Sequence, residues 1–443
     1  MTQEPPAHWL AVPVKGLRRW DVGYSSRSGR GPDSPPRRPL GELLTDLRYG
    51  SSARATADPV GVPVLRMGNI KDHSWDLSEL KYADMSQADR ERFCVLPGDV
   101  LINRTNTEDL VGKAAVWEHE GDWAFASYLI RLRVDRSALL PEFLGAWLNS
   151  ADARVQIDKV KRRSAGMTNI NATDIRGLLV PELPMPAQES VVRNLMAARE
   201  KKEELLRRAE ARLRTARQEV AIAAGVAPAE PLEIGVYTTV TGRLGASLRL
   251  DTGFHAPSRL AAVAAVEAVP SQQLADVCSI RRHVASGPVP ALGLGDIEAH
   301  TGRRVPASEP EVLKGALQFA EGDVLFGRLR PNLNKVWAAD VDGYCSPEFR
   351  VLRTRAGVDA AGLAALLRCW FVVEQTRWVT TGNTHPRLSD DDLLGIRLPS
   401  GVDLIQLDHV YARAASEAFR FEVEAGELWG AAKAAFAEAL AGY

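Results

Sequence analysis

The residue types that usually do covalent chemistry are present in this chain, but not at working spacings. Its eight His are scattered, with no two at the separation of metal ligands. Cys94, Cys278, Cys345 and Cys369 never fall within four residues of each other, so no zinc-type pair exists. All four are expected as reduced, mostly buried thiols. Gly112-Lys113 lacks the upstream Gly and following Ser/Thr of a phosphate loop, and Gly293-Leu294-Gly295 lacks the third Gly of a dinucleotide turn. Gly-x-Ser-x-Gly and His-Glu-x-x-His are absent. So is the Asn/Asp-Pro-Pro-aromatic tetrapeptide of amino-methyltransferases; Asp33-Ser34-Pro35-Pro36 does not qualify. The chain is therefore expected to be non-catalytic.

Side chains that could read a nucleic acid are concentrated instead in two kinds of segment, each present twice. The first follows a Gly-Asp-Val-Leu strand. It carries Asn103, Arg104, Thr105 and Lys113 in one place, and Arg328, Arg330, Asn332, Asn334 and Lys335 in the other. Arg can pair bidentately with guanine, Asn with adenine, and Lys with phosphate. The second is a basic helix end running into a Gly-containing polar loop. It supplies Lys161, Arg162, Arg163, Thr168, Asn169 and Asn171, and again Asn383, His385 and Arg387. Amides near Gly166 and Gly382 could accept a phosphate. The plainer alternatives are a polar turn between strands and a solvated helix end. An Arg-rich loop (Arg27, Arg30, Arg37, Arg38) is less specific, fitting backbone phosphates or disorder. Lys+Arg total 55 and Asp+Glu 56, a net charge of -1, so any such binding must be local rather than that of a polycation.

These segments sit inside a longer repetition. RRPLGELLTDL (from Arg37) resembles SQQLADVCSI (from Ser271), and GVPVLRMGNIKD (from Gly61) resembles GPVPALGLGDIEA (from Gly287). LPGDVLINRTN resembles AEGDVLFGRLRPN, and ASYLIRLRV resembles CSPEFRVLR. Arg19–Tyr24 matches Arg249–Phe254, and Asp174, Gly177 and Pro181 have the spacing of Asp392, Gly395 and Pro399. The collinear order predicts two copies of a whole domain. VPVLRMGNI, GDVLINR and YLIRLRV read as strands, and PEFLGAWLNSADARVQIDKV as one amphipathic helix.

Each copy ends in a stretch predicted as a long helix. Residues 187–224 contain no Gly or Pro, with Pro186 before and Gly225 after. Leu206, Ala209, Leu213, Ala216, Val220 and Ala223 form a coiled-coil-like seam. At about 1.5 Å per residue the helix would run about 57 Å. Its nine Lys/Arg and six Glu contrast with three Lys/Arg and seven Asp/Glu in 401–443, where Gly426 and Gly430 are weak points. Opposite charge and matched length predict that the two helices pair. The expected organisation is residues 1–186 as a first recognition domain, 187–225 as a spacer helix, 226–400 as a second recognition domain and 401–443 as a second spacer, with 226–235 as a linker.

The Gly-Asp-Val-Leu strands with their polar loops, the Asp–Gly–Pro endings, and a long helix opening with Pro186-Ala187-Gln188-Glu189 resemble the specificity subunit of type I restriction-modification systems. The resemblance covers nearly the whole chain. It is most specific in GDVLINRTN and in GMTNINATDIRGLLVPELPMPAQESVV, although the family's Pro-x-x-Gln-Glu opening is one residue shorter here. The second copy departs further, with Pro399-Ser400-Gly401-Val402-Asp403 at that place. The resemblance implies an α+β fold: two duplicated target-recognition domains separated by two long antiparallel coiled-coil-like helices. Each domain would read half of a split double-stranded DNA site. DNA methyltransferase subunits would dock on the chain, and a motor-nuclease restriction subunit would join for cleavage. Those partners would use S-adenosylmethionine, ATP and Mg²⁺; no cofactor is expected in this chain. A stand-alone Mg²⁺-dependent nuclease with scattered carboxylates, or a protein-binding scaffold of a related defence system, are the other readings. With no signal sequence and no apolar run of membrane-spanning length, a cytoplasmic location and no membrane partner are expected.

Overall fold

The computed structural model of the chain describes residues 36–108, 110–164, 167–228, 252–305, 310–382 and 385–441. Arg19–Tyr24, Arg27, Arg30, Gly166, Asn383 and most of the 226–235 linker lie outside them. The chain divides into two compact units. One comprises the residues up to Lys202 together with Gly426–Tyr443, and the other Glu203–Ala425.

In the first unit, β1 (Arg37–Pro39), β2 (Leu44–Tyr49), β3 (Val100–Asn103), β4 (Thr105–Asn106), β5 (Ala114–Val116) and β6 (Leu129–Val134) precede two helices, α1 (Pro141–Leu148) and α2 (Ala151–Val160). Then come β7 (Arg162–Ser164), β8 (Met167–Asn169), α3 (Ala172–Arg176), β9 (Leu179–Pro181) and the long α4 (Met185–Ala223). The second unit has α5 (Pro257–Glu267), β10 (Ser271–Gln273), β11 (Cys278–Arg281), β12 (Asp323–Gly327), β13 (Val336–Ala338) and β14 (Phe349–Thr354). It continues with α6 (Ala360–Leu367), α7 (Trp370–Arg377), β15 (Thr380–Thr381), β16 (Arg387–Leu388), α8 (Asp390–Leu394), β17 (Arg397–Pro399) and α9 (Leu404–Ala441).

The duplication read from the sequence is present in the fold. An antiparallel sheet ordered β2-β6-β3-β5 in the first unit has its counterpart in β11-β14-β12-β13 in the second. A smaller ribbon, β1-β9, corresponds to β10-β17. Finer details repeat as well. Gln156 uses its amide twice on Leu179, donating to the carbonyl (3.1 Å) and accepting from the N–H (2.8 Å). Gln375 does the same with Arg397, at 3.0 and 2.8 Å. Each pair holds the ribbon strand against a helix, β9 against α2 and β17 against α7.

The Gly-Asp-Val-Leu motif itself is structural. Gly98 and Gly322 have φ of +90° and +82°, a region open to Gly at little cost. The following Asp turns inward. Asp99 accepts from the Leu96 N–H (2.9 Å) and pairs with Arg133 (2.7 Å). Asp323, fully buried, accepts from the Ala320 N–H (2.8 Å) and takes a two-pronged contact from Arg353. The apolar residues that follow in β3 and β12 are buried on both faces, which is why neither strand alternates in polarity.

The stretch predicted as one helix is two. Ser150 interrupts it and caps α2, accepting from the Ala153 N–H. This lets α1 bury Phe143, Leu144 and Trp147 in the core of the first unit. The long helix α4 starts at Met185, so Pro186 lies in its first turn, where no N–H is needed. It ends in a Schellman motif: Val226 N–H to Ala221 O and Gly225 N–H to Ile222 O, both 2.9 Å, with Gly225 at φ +79°.

The seam on α4 is shifted at both ends from the predicted one. Leu205 and Ala224 are buried, whereas Leu206 is exposed and so is Ala223. Between them Ala209, Leu213, Ala216 and Val220 face Leu407, Tyr411, Ala414 and Ala418 of α9. Within the second unit the two helices run antiparallel: Arg208 lies over Phe421, and Arg212 pairs with Glu417 at 2.6 Å. Within the first, Val192 and Leu195 share a core with Trp429, Phe436 and Leu440. Gly426 and Gly430 do not interrupt α9. Among the described residues, no helix is long and apolar enough to cross a membrane.

Candidate nucleic-acid interface

The two polar segments of each copy are joined by the fold. In the first unit, β8 pairs with β7 on one side and with β4 on the other, so a three-stranded sheet carries residues of both segments. Asn169 stands opposite both Thr105 and Arg162. In the second unit, β15 pairs with β16, and Arg387 bridges to Leu329 in the loop after β12. The Leu388 N–H also reaches the Arg328 carbonyl at 3.0 Å. The spacing between the segments in sequence, about sixty residues, is erased by these backbone contacts.

The individual candidates divide by burial. Asn103 is 1% exposed and donates to the Met67 and Leu110 carbonyls, and Asn334 is 3% exposed and donates to the Arg368 carbonyl. Neither has surface to offer a base, so both are corrected from DNA contacts to loop anchors. Thr105 and Thr168 are also buried, and Thr105 donates its hydroxyl to Asn169 at 2.5 Å. They too support the loop rather than reach from it. Asn171 caps α3 by accepting from the Asp174 N–H (2.9 Å), the place Ser389 takes at α8. Its side-chain oxygen is therefore committed.

Other candidates lie at the surface. Arg104 stacks over the ring of Tyr49 at 4.9 Å, with its N–H groups near the Ser127 carbonyl. Lys113 is half-buried and Asn169 is partly exposed. Arg162 is well exposed and contacts Asp174 at 3.2 Å. Lys161 contacts Asp158 (2.8 Å) and Glu108 (3.2 Å). Partial burial opposes its charge, but these two carboxylates outweigh that and raise its pKa. The side chain of Arg163 lies outside the described residues.

In the second unit Arg330 is exposed at φ +49°, followed by a short 3-10 turn that presents Asn332. Arg328 is half-buried. Lys335 donates to the Leu294 carbonyl at 2.6 Å, and burial lowers its pKa. His385 is exposed, and Arg387 is gripped by both oxygens of Glu348 at 2.6–3.1 Å. That hydrogen bonding raises the pKa of Arg387.

Sequence reasoning missed the aromatic and acidic partners. Tyr49 and Tyr128 are exposed at the same end of the sheet as Arg104, and Tyr49 accepts the Ala172 N–H at 2.9 Å. In the second unit Arg282 and Arg350 converge on Asp390. The signal for the tyrosines was available: LRYGS and ASYLI each place a Tyr at a strand terminus, where alternation ends. Among the described residues, no group of three His, Cys, Asp or Glu could hold a metal ion.

The geometry defines a duplicated α+β protein that presents a polar, Arg-bearing loop from each copy. Three relatives with curated names are similar to part of this chain. A Methanocaldococcus jannaschii protein named as a type I restriction enzyme MjaX specificity subunit is 26% identical over 160 residues, 36% of this chain and 38% of the relative. The type I restriction enzyme StySPI specificity subunit of Salmonella potsdam is 27% identical over 158 residues, 35% of this chain and 34% of its own. The EcoKI specificity subunit of Escherichia coli K12 is 27% identical over 157 residues, 34% and 33% respectively. The matched chain thus spans between a third and two fifths of the length of those relatives. The resemblance read from the sequence is to this same class of subunit. No family model matches the chain. Among solved structures, one from a study of complex assembly in the type I R-M system is 16% identical, covers 93% of this chain and 99% of its own, and has a TM-score of 0.46. The type I S subunit from M. genitalium is 11% identical, covers 94% and 97%, and has a TM-score of 0.41.

Proposed function

We propose that this chain is a non-catalytic, sequence-specific DNA-binding subunit that reads a split double-stranded site, one half with each unit. It directs a methyltransferase and restriction complex to that site. The observation that supports this most is the joining, in both units, of the loop after the Gly-Asp-Val-Leu strand with the basic segment before the Asp–Gly–Pro ending. Partly exposed Arg104 and Asn169 and exposed Arg162 in the first unit, and exposed Arg330, Asn332 and His385 in the second, gather on those joined loops. The side-chain classes match while the residues differ, as two readers of different sequences would require. The partners are DNA methyltransferase subunits and a motor-nuclease subunit, which bring S-adenosylmethionine, ATP and Mg²⁺.

The test is selection from random-sequence duplexes with the purified chain and its methyltransferase partner. A split motif with a fixed gap is expected. Recovery of no motif would overturn the reading, and Mg²⁺-dependent cleavage by the chain alone would replace it with a nuclease.

A further inference from the structure

A left-handed turn ties the long helices of the second unit to its polar loop. The His300 carbonyl accepts from Arg217 of α4 (3.1 Å) and from the Tyr411 hydroxyl of α9 (3.3 Å), which also donates to the Thr301 carbonyl (2.8 Å). The His300 N–H points the other way, to the carbonyls of Leu333 (3.2 Å) and Asn334 (3.1 Å) in the loop after β12. The circuit closes through Arg368. Its guanidinium lies over the Tyr411 ring at 4.6 Å, and its carbonyl accepts from Asn334 at 2.9 Å. His300 has φ +63°, uncommon for a residue other than Gly. Two residues on, Gly302 sits where an added Cβ would lie 2.2 Å from the Val336 carbonyl.

The first unit has a counterpart at the matching place in sequence. Gly68-Asn69-Ile70-Lys71-Asp72-His73-Ser74 aligns with Gly295-Asp296-Ile297-Glu298-Ala299-His300-Thr301. Asp72 and His73, φ +36° and +69°, form the two-residue loop of a hairpin. Asp72 pairs with Lys202 of α4 (2.5 Å) and lies 4.0 Å from Lys433 of α9, while His73 meets the Trp429 ring edge-on at 5.2 Å. Just before the hairpin, the Met67 carbonyl accepts from Asn103 (3.4 Å) at the base of the polar loop. Left-handed backbone thus recurs at the same position in both copies, each time against both long helices.

We propose that the turns at His300 and His73 are positioning elements that lock each polar loop to the long helices, so that helix residues Arg217 and Tyr411 govern which bases the second unit reads. The base-reading part rests on the function proposed above. The experiment uses the full chain carrying Arg217→Met with Tyr411→Phe, and two readouts. By hydrogen–deuterium exchange, the amides of 328–335 are expected to exchange about fivefold faster than in the wild type, the size of a lost hydrogen bond. In the duplex selection, base preference should weaken in the second half-site only, with the first half-site and the salt dependence unchanged. Unchanged exchange at 328–335 would overturn the coupling, as would equal loss of preference in both halves. If the double variant fails to fold, Tyr411→Phe alone keeps the ring against Arg368 and gives the same readouts. A wild-type chain that selects no split motif would sink the proposed function, and the exchange result would still decide the coupling.

Discussion

The two units share a framework and part company at the loop it supports. Asp99 and Asp323, Gln156 and Gln375, and the caps Asn171 and Ser389 occupy matching places and make matching bonds. Beyond them, the first unit sets Thr105 and Asn169 side by side on a three-stranded sheet and stacks Arg104 on Tyr49. The second substitutes a 3-10 turn flanked by left-handed Arg330 and Asn334, and holds Arg387 with Glu348. The framework is fixed by geometry: a turn needs Gly, and a buried N–H needs an acceptor. The loop answers only to what it must contact, so its residues are free to differ.

The largest test of that comparison lies in the framework. Asp99 serves Arg133 and lies 3.9 Å from Arg131, whose side chain is only 2% exposed. Asp99→Ala strands the Leu96 N–H, frees Arg133 and leaves Arg131 with Asp46 (2.6 Å) and the Cys94 carbonyl as its remaining partners, and should cost about 3 kcal/mol, the upper end for an unsatisfied buried group. The partners of Asp323, Arg353 and Arg281, have side chains 46% and 31% exposed and can turn to water. Asp323→Ala then mainly strands the Ala320 N–H, at about 1–3 kcal/mol. Chemical denaturation of both variants decides this. Equal losses would mean that the two buried carboxylates are not distinguished by their partners.

A second asymmetry is in pH. Burial holds the His73 pKa down at about 4 against an ordinary 6.5, with Lys433, Lys202 and Arg154 adding to the effect and Asp72 opposing it. The folded state keeps the ring neutral while the unfolded chain protonates it. The stability tied to the neutral ring is therefore complete above about pH 6.5 and is lost as pH falls toward 4. The loss approaches ~3 kcal/mol. His300 is shifted in the same direction, chiefly by burial and then by Arg217. Between pH 7 and 4.5 the wild type should lose more stability than His73→Gln. Parallel losses would show that the ring is solvated.

How much of this was legible in advance follows from the same division. The duplication, the Gly-Asp-Val-Leu strands and the pairing of the long helices depend on short-range pattern, which a sequence displays directly. The joining of β8 to β4 depends on a pairing between Asn169 and Thr105 that no local period announces. Polarity alone made Asn103 and Asn334 resemble base readers. Each is instead buried against carbonyls that need a donor: those of Met67 and Leu110 for Asn103, and that of Arg368 at the C-terminal end of α6 for Asn334. The α4 seam slipped by one residue at each end because Leu205-Leu206 and Ala223-Ala224 offer two equally apolar choices, and only the partner helix selects between them.

Under the proposed function, the comparison predicts effects on DNA binding confined to one half of the site. Arg104→Ala should cost about 1–3 kcal/mol and relax one position in the first half, and Arg330→Ala should do so in the second. Lys113→Ala should weaken all sequences alike and lower the salt slope by about one. Fluorescence titration against the selected duplex, with each half varied in turn, measures this. Crossed effects would mean that the loops do not read separately.

The smallest effect separates the two long helices. α4 has no Gly from 187 to 224, whereas α9 carries Gly426 and Gly430. A Cβ built on Gly430 would meet nothing within 4 Å. Nothing in the packing therefore requires Gly there, and its backbone freedom works against the helix. Gly430→Ala should raise stability by about 1 kcal/mol, read as a higher denaturation midpoint at unchanged slope. A lower midpoint would show that this stretch of α9 needs its bare backbone, and that the two helices differ by contact rather than by propensity.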